Sequence, residues 1–204
     1  MAENNSDLYG EEYFQYLVKR SYLQKIIRKI YLYDIKKYCI GKTIDLGCGV
    51  GELLQVLPNG SMGFEVNFVA VNYCRSKGLN VMLFEPDKDD YSFQLIEKNS
   101  YESFTMNHVL EHLEDAYAVI NKIFAACYKL GIKRLVFTVP GIKGFQSDKT
   151  HKVFIDLNFF RTNGLLNNDH YRLQKWKYFP FNHKSFSKIF VHNELRLVFD
   201  RVYD

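Results

Sequence analysis

The sequence predicts an α/β protein built on a doubly wound, mostly parallel sheet. Three observations predict it. Short apolar strand signals alternate with helical ones at the spacing of βαβ units. A glycine-rich loop follows the first strand directly. The last two strand signals have no helix pattern between them, which predicts antiparallel pairing at the sheet edge.

Taken in order, residues Asp7 to Lys37 show apolar positions near a 3.6 period (Phe14, Leu17, Val18, Ile26, Ile27, Ile30, Ile35) and predict a helix. Gly41 breaks it. Lys42 to Leu46 predicts a strand, and Glu52 to Leu57 a short helix stopped by Pro58-Asn59-Gly60. Ser61 to Glu65 is the second strand, Asn67 to Lys77 a helix closed by Gly78, and Asn80 to Phe84 the third strand. Tyr101 to Asn107 is the fourth. Asp115 to Lys129 is a helix with Ala116, Val119, Ile120, Ile123 and Cys127 on one face, closed by Gly131. Arg134 to Val139 is the fifth strand. Beyond Gly141 the pattern weakens to a helix over Asp156 to Leu166 and strands over Tyr171 to Phe179 and Glu194 to Val202. That makes seven strands, the last one antiparallel.

A chain of 204 residues with 47% apolar and 25% charged residues suits one globular domain. Disorder and low complexity are excluded. A net charge of +4 is too small to argue for a nucleic-acid partner. Seven basic residues lie between Lys19 and Lys37 against one acid, Asp34, and predict a solvated helix face, with a docking face for an anionic substrate or surface as the alternative. Cys39, Cys48, Cys74 and Cys127 have neither metal-binding nor CxxC spacing, so buried free thiols are expected. The polar start lacks a signal-peptide core and no apolar run approaches the ~18 residues of a membrane span. A cytoplasmic protein is expected.

The most informative stretch is Asp45-Leu46-Gly47-Cys48-Gly49-Val50-Gly51. In open α/β sheets, ligands bind beyond the carboxyl ends of the strands, where glycine lets the backbone approach closely. The dinucleotide fingerprint GxGxxG fails here. Its sixth position is Glu52 when counted from Gly47 and Leu54 when counted from Gly49. What stands in the sequence is an acid followed by xGxGxG. Glu65 ends the second strand, and Asp87 follows the third. The fourth strand runs into Asn107-His108-Val109-Leu110-Glu111-His112-Leu113.

Together these resemble motif I and the following strand tips of class I S-adenosylmethionine-dependent methyltransferases, of the small-molecule bacterial type that carries an HVLEH segment. The resemblance covers Lys42 to about Asp156. It implies a Rossmann-like seven-stranded sheet and S-adenosyl-L-methionine as cofactor. It implies that Gly47, Cys48 and Gly49 wrap the amino-acid end of the cofactor and that Asp45 faces its cationic group. Glu65, beside Val66, would accept both ribose hydroxyls. Asp87 would lie near the adenine amine, with Asp89 and Asp90 as close alternatives. Asn107 would line the pocket, and Tyr13 would contribute from an N-terminal lid. The domain then divides into a helical lid (1–40), a cofactor-binding core (41–140) and an acceptor-side elaboration (141–204).

Methyl transfer needs alignment, exclusion of water and often removal of a proton. His151, in the loop after the fifth strand, and His108, past the fourth, are the expected catalytic residues. His112 is expected to pack or cap. His108, Glu111 and His112 spell HxxEH. Certain methyltransferases of small RNA and of quinone precursors hold a divalent ion with a similar ExxEH run. Here His108 replaces the first acid, and no metal is expected. The segment from Gly141 to Phe179 is rich in aromatic residues (Phe145, Phe154, Phe159, Phe160, Tyr171, Trp176, Tyr178, Phe179). It favours a small polar acceptor, above all a sugar or sugar-phosphate of a surface polysaccharide or metabolite pathway. Nucleic-acid or protein methylation, and non-catalytic cofactor binding, remain open. A homodimer is possible on this reading.

Overall fold

The computed structural model describes residues 22–203. Tyr13, the predicted lid tyrosine, and the first part of the basic run lie outside them. Helix α1 (Tyr22–Lys36) leads into strand β1 (Thr43–Leu46), followed by β2 (Met62–Glu65), α2 (Phe68–Ser76), β3 (Val81–Leu83) and the one-turn α3 (Pro86–Asp89). Next come β4 (Ser103–Asn107), α4 (Ala116–Leu130), β5 (Arg134–Val139), α5 (Ile142–Ser147), α6 (Leu157–Thr162), β6 (Tyr171–Phe179) and β7 (Glu194–Arg201).

The seven strands form one sheet in the order β3-β2-β1-β4-β5-β7-β6. Six run parallel. β7 is antiparallel to both neighbours, pairing Leu135 with Phe199 on one side and Trp176 with Leu197 on the other. The expected edge pairing of the last two strands is therefore present. The order reverses between β1 and β4, so the carboxyl ends of these strands flank the crevice where such sheets bind ligands.

Both faces are covered, so the central strands β1, β4 and β5 are buried along nearly their whole length. On one face α4 and α6 bury Ile120, Ile123, Phe124 and Phe160 against Phe104, Phe137 and Phe199. On the other, α1, α2 and the glycine loop bury Leu32, Ile35, Leu53, Leu54, Val71 and Cys74. Helix ends follow the sequence signals. Asn67 caps α2 by accepting from the Val69 and Ala70 amides, and Asp115 caps α4 by accepting from Ala118. Gly131 ends α4 at φ +81°, a left-handed conformation that glycine adopts readily.

Four expectations change. Glu52 to Leu57 forms successive turns instead of a regular helix. It keeps only isolated helical bonds such as Leu57 N–H to Leu53 O, between Gly51 in a left-handed conformation at φ +74° and Pro58. The helix expected to reach Leu166 stops at Thr162, where Gly164 turns the chain and the Leu165 amide bonds back to Phe160 O. Ile30, expected on the apolar face of α1, is 59% exposed; Ile35 is buried as expected, and Tyr31 and Leu32 are buried beside it. Asp34, the lone acid of the basic run, is buried and ion-paired with Arg196 and Lys177, tying α1 to β7 and β6. Among the described residues no helix is long and apolar enough to cross a membrane.

Candidate functional site

The glycine loop turns back under β2. The amides of Gly47 and Cys48 both donate to Phe64 O. Gly47 sits at φ +75°, and a Cβ there would lie 2.4 Å from Val109 Cγ2. A side chain is thus barred by both backbone and space. Gly49 donates its amide to Glu65 Oε2 at 2.7 Å, and Asn67 donates to Glu65 Oε1 at 2.9 Å. The carboxylate at the tip of β2 therefore fixes the loop and the start of α2. With two lone pairs on each oxygen, the carboxylate retains acceptor capacity for a ligand hydroxyl. Burial pushes the Glu65 carboxyl up, opposed by the amides of Asn67, Gly49 and Val66.

Asp45, Gly47, Cys48 and Asn107 meet around a cavity of about 30 Å³, roughly the volume of one water molecule, beneath Arg28, Leu32 and Ile35 of α1. Burial raises the Asp45 carboxyl to about 7, against the opposing influence of Arg28 and of hydrogen bonding from Asn107. The Asn107 side-chain nitrogen donates to Thr105 Oγ1, while its buried Oδ1 has no hydrogen-bond partner among the described residues. A buried carboxylate and an unpaired carbonyl at the sheet switch point fit the ammonium of an amino-acid ligand. With α1 seated as described, only the innermost part of that ligand has room. Arg28 of α1 roofs the cavity and is joined to the loop by its ion pair with Glu52 at 3.0 Å.

The remaining predicted cofactor residues among those described do not line this cavity. Val66 is exposed next to Glu65. Asp87 is exposed in the first turn of α3. Asp89 accepts from the Phe93 amide and Asp90 pairs with Lys122, so both are engaged structurally.

His108 stands at the tip of β4 with φ +56°. Its Nδ1 lies 3.2 Å from Glu111 Oε1, and its Nε2 lies 3.0 Å from the Tyr31 hydroxyl and 3.1 Å from Glu194 Oε1. Burial alone would lower its pKa. The charge of Glu194, with Tyr31 and Glu111, overrides this and raises it well above the ordinary value. Glu194 shifts the opposite way, down, because His108, Arg28 and Arg196 outweigh its burial. His108 is therefore a held imidazolium, suited to hydrogen bonding and positive charge and unsuited to removing a proton.

His151 lies in the loop after α5, with its ring stacked on Phe145. Its Nδ1 donates to Phe145 O at 2.9 Å, which leaves the lone pair on Nε2. Its Nε2 is 3.9 Å from both Glu111 Oε1 and Asp148 Oδ2. His112, expected to pack or cap, meets the His151 ring edge to face at 4.8 Å. The sheet thus gathers His108, Glu111, His112 and His151 beside the crevice.

Arg28, Tyr31 and Glu194 were not foreseen as site residues. Arg28 belongs to a run that reads as solvated, and Glu194 is one acid at a strand start, with nothing in the local sequence to mark either.

A methyltransferase domain family model matches residues 18–202. Among solved structures, the chain is similar to a SAM-dependent methyltransferase from Archaeoglobus fulgidus (17% identity, 92% of this chain and 97% of that one, TM-score 0.61). It is also similar to magnesium protoporphyrin IX methyltransferase from Synechocystis PCC 6803 with bound SAM (16% identity, 97% and 95%, TM-score 0.65). A third is the small RNA methyltransferase HEN1, of which it covers 25% (14% identity, 89% of this chain, TM-score 0.62). A sequence search of curated proteins finds no match. The family match spans nearly the whole chain and the fold agrees with it, so this protein belongs to the methyltransferase domain family as a class I enzyme whose cofactor is S-adenosylmethionine.

Proposed function

We propose that the enzyme methylates an oxygen of a small polar acceptor, with a sugar or sugar-phosphate of surface-polysaccharide or metabolite biosynthesis as the favoured class. The bound cofactor supplies a methyl group activated by its sulfonium. The chain supplies position and charge. On this reading Asp45 and the Asn107 carbonyl hold the ammonium end, and Gly47, Cys48 and Gly49 line the backbone cradle. Glu65 receives the ribose hydroxyls, with Val66 beside it, and Asp87 faces the adenine amine. His108 donates hydrogen bonds at the mouth, and the Nε2 lone pair of His151 takes the acceptor's proton.

The observation that carries the acceptor class is a groove of about 360 Å³ lined by Trp176, Tyr178, Arg161, Asn158, Asp156 and Lys184. The aromatic residues of this segment divide between core and surface. Phe160 and Tyr171 are fully buried, whereas Trp176 is 47% exposed. A half-exposed indole in the same groove as a guanidinium, an amide and a lysine suits a polyhydroxylated or phosphorylated ring, with Asp156 holding Lys184 and the start of α6.

The test incubates the protein with labelled cofactor and a panel of sugars, sugar-phosphates, transfer RNA and peptides, read by mass spectrometry. Gain of one methylene on a sugar, with a raised KM in Trp176→Ala, supports the reading. Methylation of RNA or peptide alone overturns it, and no transfer to any acceptor, with the cofactor bound, favours a non-catalytic role.

A further inference from the structure

We propose that the loop joining β6 to β7 is a docking surface for an anionic lipid bilayer, which brings the mouth of the crevice to the headgroup layer. β6 runs parallel to β1, β4 and β5, so this loop, from Pro180 to Asn193, lies at the end of the sheet where the crevice opens. Glu194, the residue that follows it, lies 3.1 Å from His108 at the crevice mouth.

The loop is pinned from within. Asn193 is fully buried; its Oδ1 accepts from the Phe181 amide and its Nδ2 donates to His183 O, so one side chain ties the two ends of the loop together. Glycines let the loop sit directly on α5. A Cβ at Gly141 would lie 2.5 Å from Ser187 Cβ, and one at Gly144 would lie 2.6 Å from Val191 O. Held in this way, the loop turns apolar side chains outward. Ile189 is 74% exposed, and Phe181, Phe186 and Phe190 are exposed as well. Phe181 stacks on Phe186 at 4.8 Å and meets Phe190 edge to face at 5.6 Å, so the three rings form one patch. Single exposed apolar residues are ordinary, whereas a contiguous patch on an anchored loop marks an interaction surface.

Charge names the occupant. Residues 180–193 contain Lys184 and Lys188 and neither aspartate nor glutamate. Lys188 is exposed and makes no ion pair among the described residues, and the same holds for Lys143 of α5 and Lys149 just beyond it. Asp148, the acid between those two, is turned to Thr150 and His151. Lys184 pairs with Asp156 yet stays exposed. An anionic bilayer meets both halves of this surface: apolar side chains enter the boundary between headgroups and acyl chains, while lysines meet the phosphates. A second copy docked through the same face would set lysine against lysine. Nucleic acid fits less well, because Ile189, the most exposed of the four apolar residues, cannot stack on a base, and the loop has no arginine. Docking of this kind holds for any acceptor.

The test sediments the full chain with phosphatidylcholine vesicles, with and without phosphatidylglycerol, at low and raised salt. Amide hydrogen exchange is mapped with the same vesicles and, in parallel, with transfer RNA. Expected are binding to the anionic vesicles, binding about tenfold weaker or less to phosphatidylcholine alone, release by salt, and exchange slowed by vesicles within residues 181–190. Ile189→Ser should weaken binding about tenfold and Lys188→Glu about fivefold or more, whereas Leu95→Ser, at a similarly exposed apolar residue before β4, should leave it unchanged. Both altered side chains are exposed, so the variants should melt as the wild type does; if either melts early, the wild-type exchange map decides. No binding, binding indifferent to phosphatidylglycerol, or binding that persists in both variants overturns the proposal. So does a dimer that Ile189→Ser dissolves, or exchange in the loop slowed by RNA and not by vesicles. None of these readouts depends on methyl transfer, so their failure leaves the cofactor assignment standing.

Discussion

His108 Nε2, at the tip of β4, lies 3.1 Å from Oε1 of Glu194, the first residue of β7. The contact joins two strand ends across the intervening β5 and holds a charged imidazole at the mouth of the crevice. Raised His108 and lowered Glu194 titrate so that the pair is charged between their ordinary values of 4.5 and 6.5 and beyond both. Its stabilisation is full in that window. It fades as pH rises through the elevated His108 value or falls through the depressed Glu194 value. Glu194→Gln should therefore destabilise the protein by about 2 kcal/mol near pH 5.5, the scale of a charged hydrogen bond, and by less at high alkaline pH. Thermal melts across pH measure this, and a proton NMR titration should show His108 moving down toward its ordinary pKa. An unchanged His108 would refute the pairing.

Asp45 makes the opposite kind of prediction. Its carboxyl is raised to about 7 by burial, so ionising it in the folded, cofactor-free chain costs stability that grows as pH rises from about 4 to 7. Asp45→Asn should raise the melting temperature of the cofactor-free protein at pH 8 while weakening cofactor binding. Wild-type affinity for S-adenosylmethionine should increase from pH 6 to pH 8, and the variant should lose that slope. A parallel slope in both proteins would contradict the role given to Asp45.

Glu65→Ala removes the acceptor of the Gly49 and Asn67 amides as well as the proposed ribose acceptor. Cofactor affinity should fall by roughly 1–3 kcal/mol, about 5- to 150-fold. Equilibrium dialysis with S-adenosylhomocysteine checks it, and unchanged affinity would remove the ribose assignment.

His151→Ala should lower turnover while leaving cofactor affinity near wild type, because its contacts are with Phe145, His112, Glu111 and Asp148 and not with the glycine loop. Steady-state kinetics beside calorimetry separates the two. Equal loss of both would make His151 a structural residue.

Gly47→Ala should destabilise by roughly 1–3 kcal/mol, since it combines a positive φ with a Cβ 2.4 Å from Val109 Cγ2. A urea melt measures the loss. A variant as stable as wild type would show that the loop has slack the structure does not display.

Much of this architecture is written locally. β5 and β6 begin and end where their apolar patterns do, and Asn67, Asp115 and Gly131 mark helix ends by their own chemistry. The glycine loop is legible because its spacing is confined to seven residues. The His108 network is not, because Tyr31, His108 and Glu194 are brought together from positions 77 and 86 residues apart along the chain. No periodicity encodes that meeting. Arg28 and Asp34 mislead for the same reason. In sequence they belong to a charged helix face, and only docking onto β7 and the glycine loop turns them inward. The short helices α3 and α5 lack the turns needed for a repeating pattern to register.

The most direct test of the central claim is a crystal structure of the protein with S-adenosylhomocysteine. The account predicts its amino group against Asp45 and Asn107, its ribose hydroxyls on Glu65, and α1 displaced from its seat over the loop. Ligand bound elsewhere, or a β1–β4 crevice still closed at saturating concentration, would contradict it.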